Sequence, residues 1–136
     1  MSSISAIALS GMMAATRRLE ATASNVANLR TTGALPAADG TVPAGMQQAY
    51  TPVRVDQTDV SGGGTATSVG TVTPSYTPMA DPQSPFANAD GLVAAPNVDL
   101  SQEMVGLMIA RYTFTANVRV MEADDRMAKT LLDAKI

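Results

Sequence analysis

All eight prolines of this 136-residue chain lie between Pro36 and Pro96, and eight of its ten glycines lie between Gly33 and Gly91. Proline breaks a helix interior and glycine weakens one, so long helices are confined to the two ends. The middle is made of turn-forming residues. This partition predicts a mainly α chain. Long N- and C-terminal helices would form a coiled-coil-like bundle, with a central extended region containing a β-hairpin. The expected segments are an N-terminal polymerisation helix over residues 1–33, an extended middle over 34–98, and a C-terminal polymerisation helix over 99–136. The hairpin is expected at about residues 49–76, with Gly62, Gly63 and Gly64 at its turn.

Ala8, Met12, Ala15, Leu19, Thr22, Val26 and Leu29 recur at alternating spacings of four and three, a heptad stripe with one polar intruder. Gly11, Ala14 and Ala15 let another helix approach closely, and Gly33 is a helix stop signal just beyond the stripe. Beyond Pro96, Asp99 is an N-cap candidate with Gln102 completing a capping box. Leu100, Met104, Leu107, Phe114, Val118, Met121, Ala128 and Leu132 keep nearly the same alternation, interrupted by Arg111 and Asp125. Ile109, Ala116, Val120, Ala123, Met127 and Leu131 form a second stripe. Stripes this wide imply contact with more than one neighbour. Pro78 to Pro85 is expected to be a stiff, irregular, partly polyproline-like passage.

Chemistry is harder to place. With no cysteine and no histidine, a disulfide framework, a thiolate-held metal and the commonest general base are all excluded. No cofactor, metal or small-molecule substrate is expected. Many serines are present, but nothing nearby would activate one, and Lys129 and Lys135 lie in the terminal helix. Asp124 and Asp125 are adjacent on a helix and point about 100° apart, so they suit a solvated face with Glu122–Arg126 and Asp125–Lys129 pairs rather than acid–base work. The Gly62–Gly64 run lacks the Lys-Ser or Lys-Thr of a phosphate loop. The formal net charge is −3, with one arginine against five acids over residues 36–98 and no basic face, so nucleic acid is not an expected partner. The apolar opening run is followed, not preceded, by Arg17 and Arg18, which is the wrong order for a cleaved signal; neither that nor a transmembrane segment is expected. Methionines on the stripes suit adaptable packing.

Two strings carry more than periodicity. Ala23-Ser24-Asn25-Val26-Ala27-Asn28-Leu29-Arg30-Thr31-Thr32-Gly33 resembles the A-S-N-[ILV]-A-N-x-x-T-x-G signature of the axial proteins of the bacterial flagellum, the rod, hook and hook-associated family. Asn88-Ala89-Asp90-Gly91-Leu92-Val93-Ala94-Ala95-Pro96-Asn97-Val98-Asp99-Leu100, followed by Glu103-Met104-Val105, resembles the D-x-x-G-Y-V-x-x-P-N-V-[DN] and E-M-V strings of proximal rod members of that family. Phe114, Ala116, Asn117 and Val118 correspond to its Y-x-A-N-[IV] string, and Lys129-Thr130-Leu131 to its K-T-L. The chain departs from the family at Leu92, where tyrosine is usual, and at Ala34–Gly40, which replaces an aromatic-rich strand.

The resemblance implies a structural subunit of the periplasmic drive shaft. It would polymerise through its terminal helices, transmit torque, and enclose the export channel. Implied partners are copies of itself, other flagellar rod proteins, the inner-membrane ring and the flagellar type III export apparatus, with export needing no cleavable signal. The motif residues Ser24, Asn25, Asn28, Thr31, Gly33, Gly91, Pro96, Asn97 and Asn117 are expected to matter in either of two ways: by ending the first helix, or by bonding a neighbouring subunit to set its register. Ala8, Met12, Ala15, Leu19, Val26, Leu29, Leu100, Met104, Leu107, Phe114, Val118, Met121 and Leu132 are the expected inter-subunit packing residues. Weaker alternatives are another rod or adaptor subunit, a soluble helical interaction module, or a peptidoglycan-active enzyme of the envelope.

Overall fold

The computed structural model describes residues 3–37 and 40–134; Lys135 and the Ala38-Asp39 pair of the atypical segment lie outside the described residues. Helix α1 (Ser3–Ala27) is followed by strands β1 (Val53–Asp59), β2 (Thr65–Thr71), β3 (Tyr76–Ala80) and β4 (Leu92–Pro96), then helix α2 (Leu100–Asp133).

The two helices pair antiparallel. Ser5 Oγ donates to Asp124 Oδ2 at 2.5 Å, Asn117 fills the space over Gly11, Thr22 lies beside Gly106, and Asn25 reaches Glu103. A methyl at Gly11 would sit 2.7 Å from the Asn117 amide, so the missing side chain lets α2 close in. Ala8, Ala15 and Thr22 are buried at seven-residue intervals on this side of α1. Asp124 therefore serves the helix pair, correcting the expectation that it stands on a solvated face; Asp125 is exposed. Pairing runs out there, and from Asp125 to Asp133 every residue of α2 is exposed.

Local chemistry sets the helix limits. Asp99 Oδ1 accepts the Ser101 and Gln102 N–H groups at 2.8 and 3.3 Å, the N-cap of α2. At the end of α1, Asn28 turns its amide back to the Ser24 carbonyl and receives the Thr31 hydroxyl on its Oδ1. This side chain offers the backbone an alternative to another helical turn. The helix thus stops at Ala27, well before Gly33. Gly33 is no helix terminator. It forms an antiparallel bridge with Ala94, and a Cβ there would lie 2.2 Å from the Ala49 nitrogen.

The β1–β2 hairpin lies lengthwise on α1. Its base is held by Asn25 and its tip by Ser10, whose Oγ accepts the Thr65 N–H at 3.1 Å. Seven strand residues and the fifteen-residue helical interval from Ser10 to Asn25 both cover about 23 Å, so tip and base meet their anchors together. Gly62, Gly63 and Gly64 all have φ between +94° and +99°, which β-carbons disfavour. Side chains at Gly63 and Gly64 would also strike Ile7 and Ser10.

The mainly α expectation is corrected. Helices of 25 and 34 residues accompany two separate two-stranded antiparallel sheets, an α+β arrangement rather than a helical bundle with one hairpin. The second sheet forms where a stiff irregular passage was expected. Proline 78 pairs opposite Ala94 in β3, and the ladder tolerates it for a geometric reason. Ala94 gives its own N–H and C=O to Gly33, so the Pro78–Ala94 position is one where strands exchange no hydrogen bond. The N–H that proline lacks would have pointed away from β4.

Candidate assembly interface

The first asparagine of the first string, Asn25, is a junction within the chain. Asn25 is 2% exposed, and all four of its amide positions are used. Nδ2 donates to the Val53 carbonyl at 2.8 Å and to Glu103 Oε1 at 2.6 Å. Oδ1 accepts the Val53 N–H at 3.0 Å and the Tyr50 hydroxyl at 3.1 Å. Ser24 Oγ pairs with the same tyrosine hydroxyl at 2.9 Å. One side chain thus joins α1, β1 and α2. Asn28 is engaged with Ser24 and Thr31, so the amides of both asparagines work inside the chain.

The other motif residues also hold local structure. Asn97 Nδ2 donates to the Pro74 carbonyl at 2.9 Å, tying the end of β4 to the entry of β3. Pro96 is buried opposite Tyr76. Gly91 has φ +74°, closing the loop between β3 and β4, and a Cβ there would sit 3.1 Å from Pro82. Asn117 bonds the Thr113 carbonyl and covers Gly11.

The expected packing residues divide into two groups. Ala8 and Ala15 are fully buried within the chain, and Met12, Leu19, Val26, Leu29, Leu107, Val118 and Met121 are half-buried. Leu100, Met104, Phe114 and Leu132 remain exposed. The second stripe is wholly open. Ile109, Ala116, Val120, Ala123, Met127 and Leu131 are all exposed along one flank of α2, and Val105, outside the expected stripe, extends that flank by one turn. These positions carry no charge and extend over about 39 Å. Ile109 also lines a groove with Arg18, Val53 and Val55, where α1, α2 and the hairpin meet.

On α1, Ile4, Ile7, Leu9 and Met13 are exposed, and Leu9 and Met13 border an apolar groove with Met12 and Phe114. Sequence reasoning missed Met108 and Tyr112, 57% and 69% exposed on the outer face. Their i,i+4 spacing from Met104 was the available signal.

No helix among the described residues is long and apolar enough to cross a membrane. Among the same residues the ion pairs are Arg54–Asp56 and Glu122–Arg126, both largely exposed. What the described surface offers a neighbour is apolar area along α2 and the first half of α1.

Comparison with known proteins gives this surface a context. Residues 6–34 match the family described as flagella basal body rod protein, and residues 89–134 match the flagellar basal body rod FlgEFG protein C-terminal family. The chain is 34% identical over 129 residues to the flagellar basal-body rod protein FlgC of Salmonella typhimurium, covering 92% of this chain and 91% of that one. It is 30% identical to the FlgC of Bacillus subtilis, with 93% of each chain covered. The FlgC of Agrobacterium fabrum is also 30% identical, over 96% of this chain and 93% of its own.

Proposed function

Because this chain belongs to the flagellar basal-body rod protein FlgC family, we propose that it is a rod subunit that polymerises through its terminal helices, transmits torque and encloses an export channel. Its partners are copies of itself and other rod proteins, with the inner-membrane ring and the flagellar export apparatus at the base of the shaft. The site of action is the periplasmic rod, reached through that apparatus.

The observation that carries this reading is the uncharged flank of α2, exposed from Val105 to Leu131 and continuing onto the tail beyond α1. Burying one large aliphatic or methionine side chain yields about 1.5–3 kcal/mol. Covering Val105, Ile109, Val120, Met127 and Leu131 therefore favours association over isolation. Torque needs interfaces shared among many chains, and no reactive residue is assigned. Asp124 and Asp125 diverge, with Asp124 turned to Ser5, so a paired-carboxylate hydrolase has no support.

The test is incorporation. Cells carrying Val120→Glu together with Met127→Glu should make the chain at normal levels, yet yield basal bodies lacking it and no swimming. Normal rods from that variant would remove the α2 flank as the assembly surface.

A further inference from the structure

Strand edges carry N–H and C=O groups that another strand can satisfy, and folded proteins usually blunt them. In β3 the outward positions are Tyr76, Pro78 and Ala80, and the central one supplies no donor. The β1–β2 hairpin has no such protection. From Val53 to Thr71 there is neither proline nor lysine, and the pairing runs without a bulge.

The phase of the ladder identifies what is open. Val72 N–H donates to the Pro52 carbonyl and Val60 N–H to the Gly64 carbonyl. Arg54, Asp56 and Thr58 therefore face β2, and Val53, Val55, Gln57 and Asp59 face outward. Asn25 satisfies Val53. The outward backbone groups of Val55, Gln57 and Asp59 have no partner among the described residues. On β2 the same phase turns Thr67, Val69 and Thr71 outward, also without partners, while Thr65 is held by Ser10. One hairpin thus bears two open edges on opposite sides.

We propose that the outer edge of β1 in one copy pairs with the outer edge of β2 in a second copy, so that the hairpins join into a sheet running from subunit to subunit. This rests on the reading that the chain polymerises, and it names a surface that reading leaves open. The occupant is a second copy because one chain carries both complementary edges. Copies side by side in the same orientation set β1 against an oppositely running β2, the antiparallel sense already used within the hairpin. Asn25 occupies the first rung on β1, so a neighbouring strand continues an existing ladder. The groove lined by Val55, Val72 and Ile109 lies open beside that edge. A contact between two different edges is head-to-tail, so repeated copies form a ring where the rotation closes and an open helical array where it does not.

The chain has no cysteine, which makes the test clean. Cells are made to express the full-length Gln57→Cys and Val69→Cys chains together, and their basal bodies are oxidised. A reducible dimer should appear only when both variants are present. Dimers from Gln57→Cys alone would mean like edges pair and would overturn the proposal. Basal bodies containing both variants without any dimer would overturn it too, while leaving polymerisation through the helices intact. If even the unmutated chain is absent from basal bodies, the underlying reading fails and this one with it. A second variant, Gln57→Pro, removes an outward N–H without touching the intrachain ladder. Its incorporation should fall at least tenfold, and wild-type incorporation would exclude the edge contact.

Discussion

The side-chain amide of Asn25 meets the backbone of Val53 as a neighbouring strand would, donating to its carbonyl at 2.8 Å and accepting its N–H at 3.0 Å. A helix residue thereby supplies the first rung of a sheet. Its two remaining amide positions take Glu103 and the Tyr50 hydroxyl, so the junction of α1, β1 and α2 passes through a single residue.

Asn25→Ala should therefore destabilise the subunit itself. It leaves the Val53 groups and Glu103 without their partner in a buried setting, at about 1–3 kcal/mol for a group left unpaired. We expect a total loss of about 2–4 kcal/mol, read by urea unfolding of the purified chain. Asn25→Asp should be at least as damaging, because it removes both donors and sets a carboxylate against Glu103. A change below about 0.5 kcal/mol in the alanine variant would show that the junction contributes nothing to folding.

Gly33→Ala should disrupt the close approach of the chain at Gly33, between Ala94 of β4 and the backbone of residues 47–49. The new methyl would lie 2.2 Å from the Ala49 nitrogen and 2.4 Å from the Gln47 carbonyl oxygen, and both are backbone atoms. Relief requires moving the chain, so the loss should reach about 3 kcal/mol or more. Near-UV circular dichroism of the tyrosines, together with thermal melting, would report it; an unchanged melting curve would contradict the close approach.

Leu131→Glu separates assembly from folding. Leu131 is 73% exposed on the tail of α2. The isolated chain should keep its stability within about 0.5 kcal/mol, as surface changes usually do. Incorporation into basal bodies should nevertheless be lost. A melting temperature lowered to the extent of a core mutation would place this residue inside the fold.

Pro78→Thr tests the blunted edge. Its outward position means no ladder bond is regained, and the loss of proline's restraint on the unfolded chain should lower stability by about 1 kcal/mol or less. The newly exposed N–H should promote self-association, measured by light scattering against concentration. Unaltered scattering would mean that proline there has no protective role.

How legible was this in the amino-acid order? Both helices could be placed because their interiors lack proline and repeat at three and four, and the Asp99 cap was visible in its spacing. The first hairpin was visible because three glycines separate two Thr/Val-rich runs. The second sheet was not. Its prolines at 78 and 96 argue against a strand unless one knows that the Pro78 position exchanges no bond with β4, a phase fixed by the distant Gly33–Ala94 bridge. The role of Asn25 was hidden for the same reason. Its partners, at positions 50, 53 and 103, are joined to it only by tertiary folding. Seven-residue spacing pointed to a stripe, but not to which part α2 already covers. Ala8 and Ala15 are enclosed, while Leu100, Met104 and Leu132 are open.

Helix α2 outruns α1 by about two turns at one end, while at the other the helices finish nearly level. In a shaft laid up from such copies, that overhang would leave one end of each subunit as a single projecting helix with every side open to its neighbours, so the joint there would be spliced rather than butted.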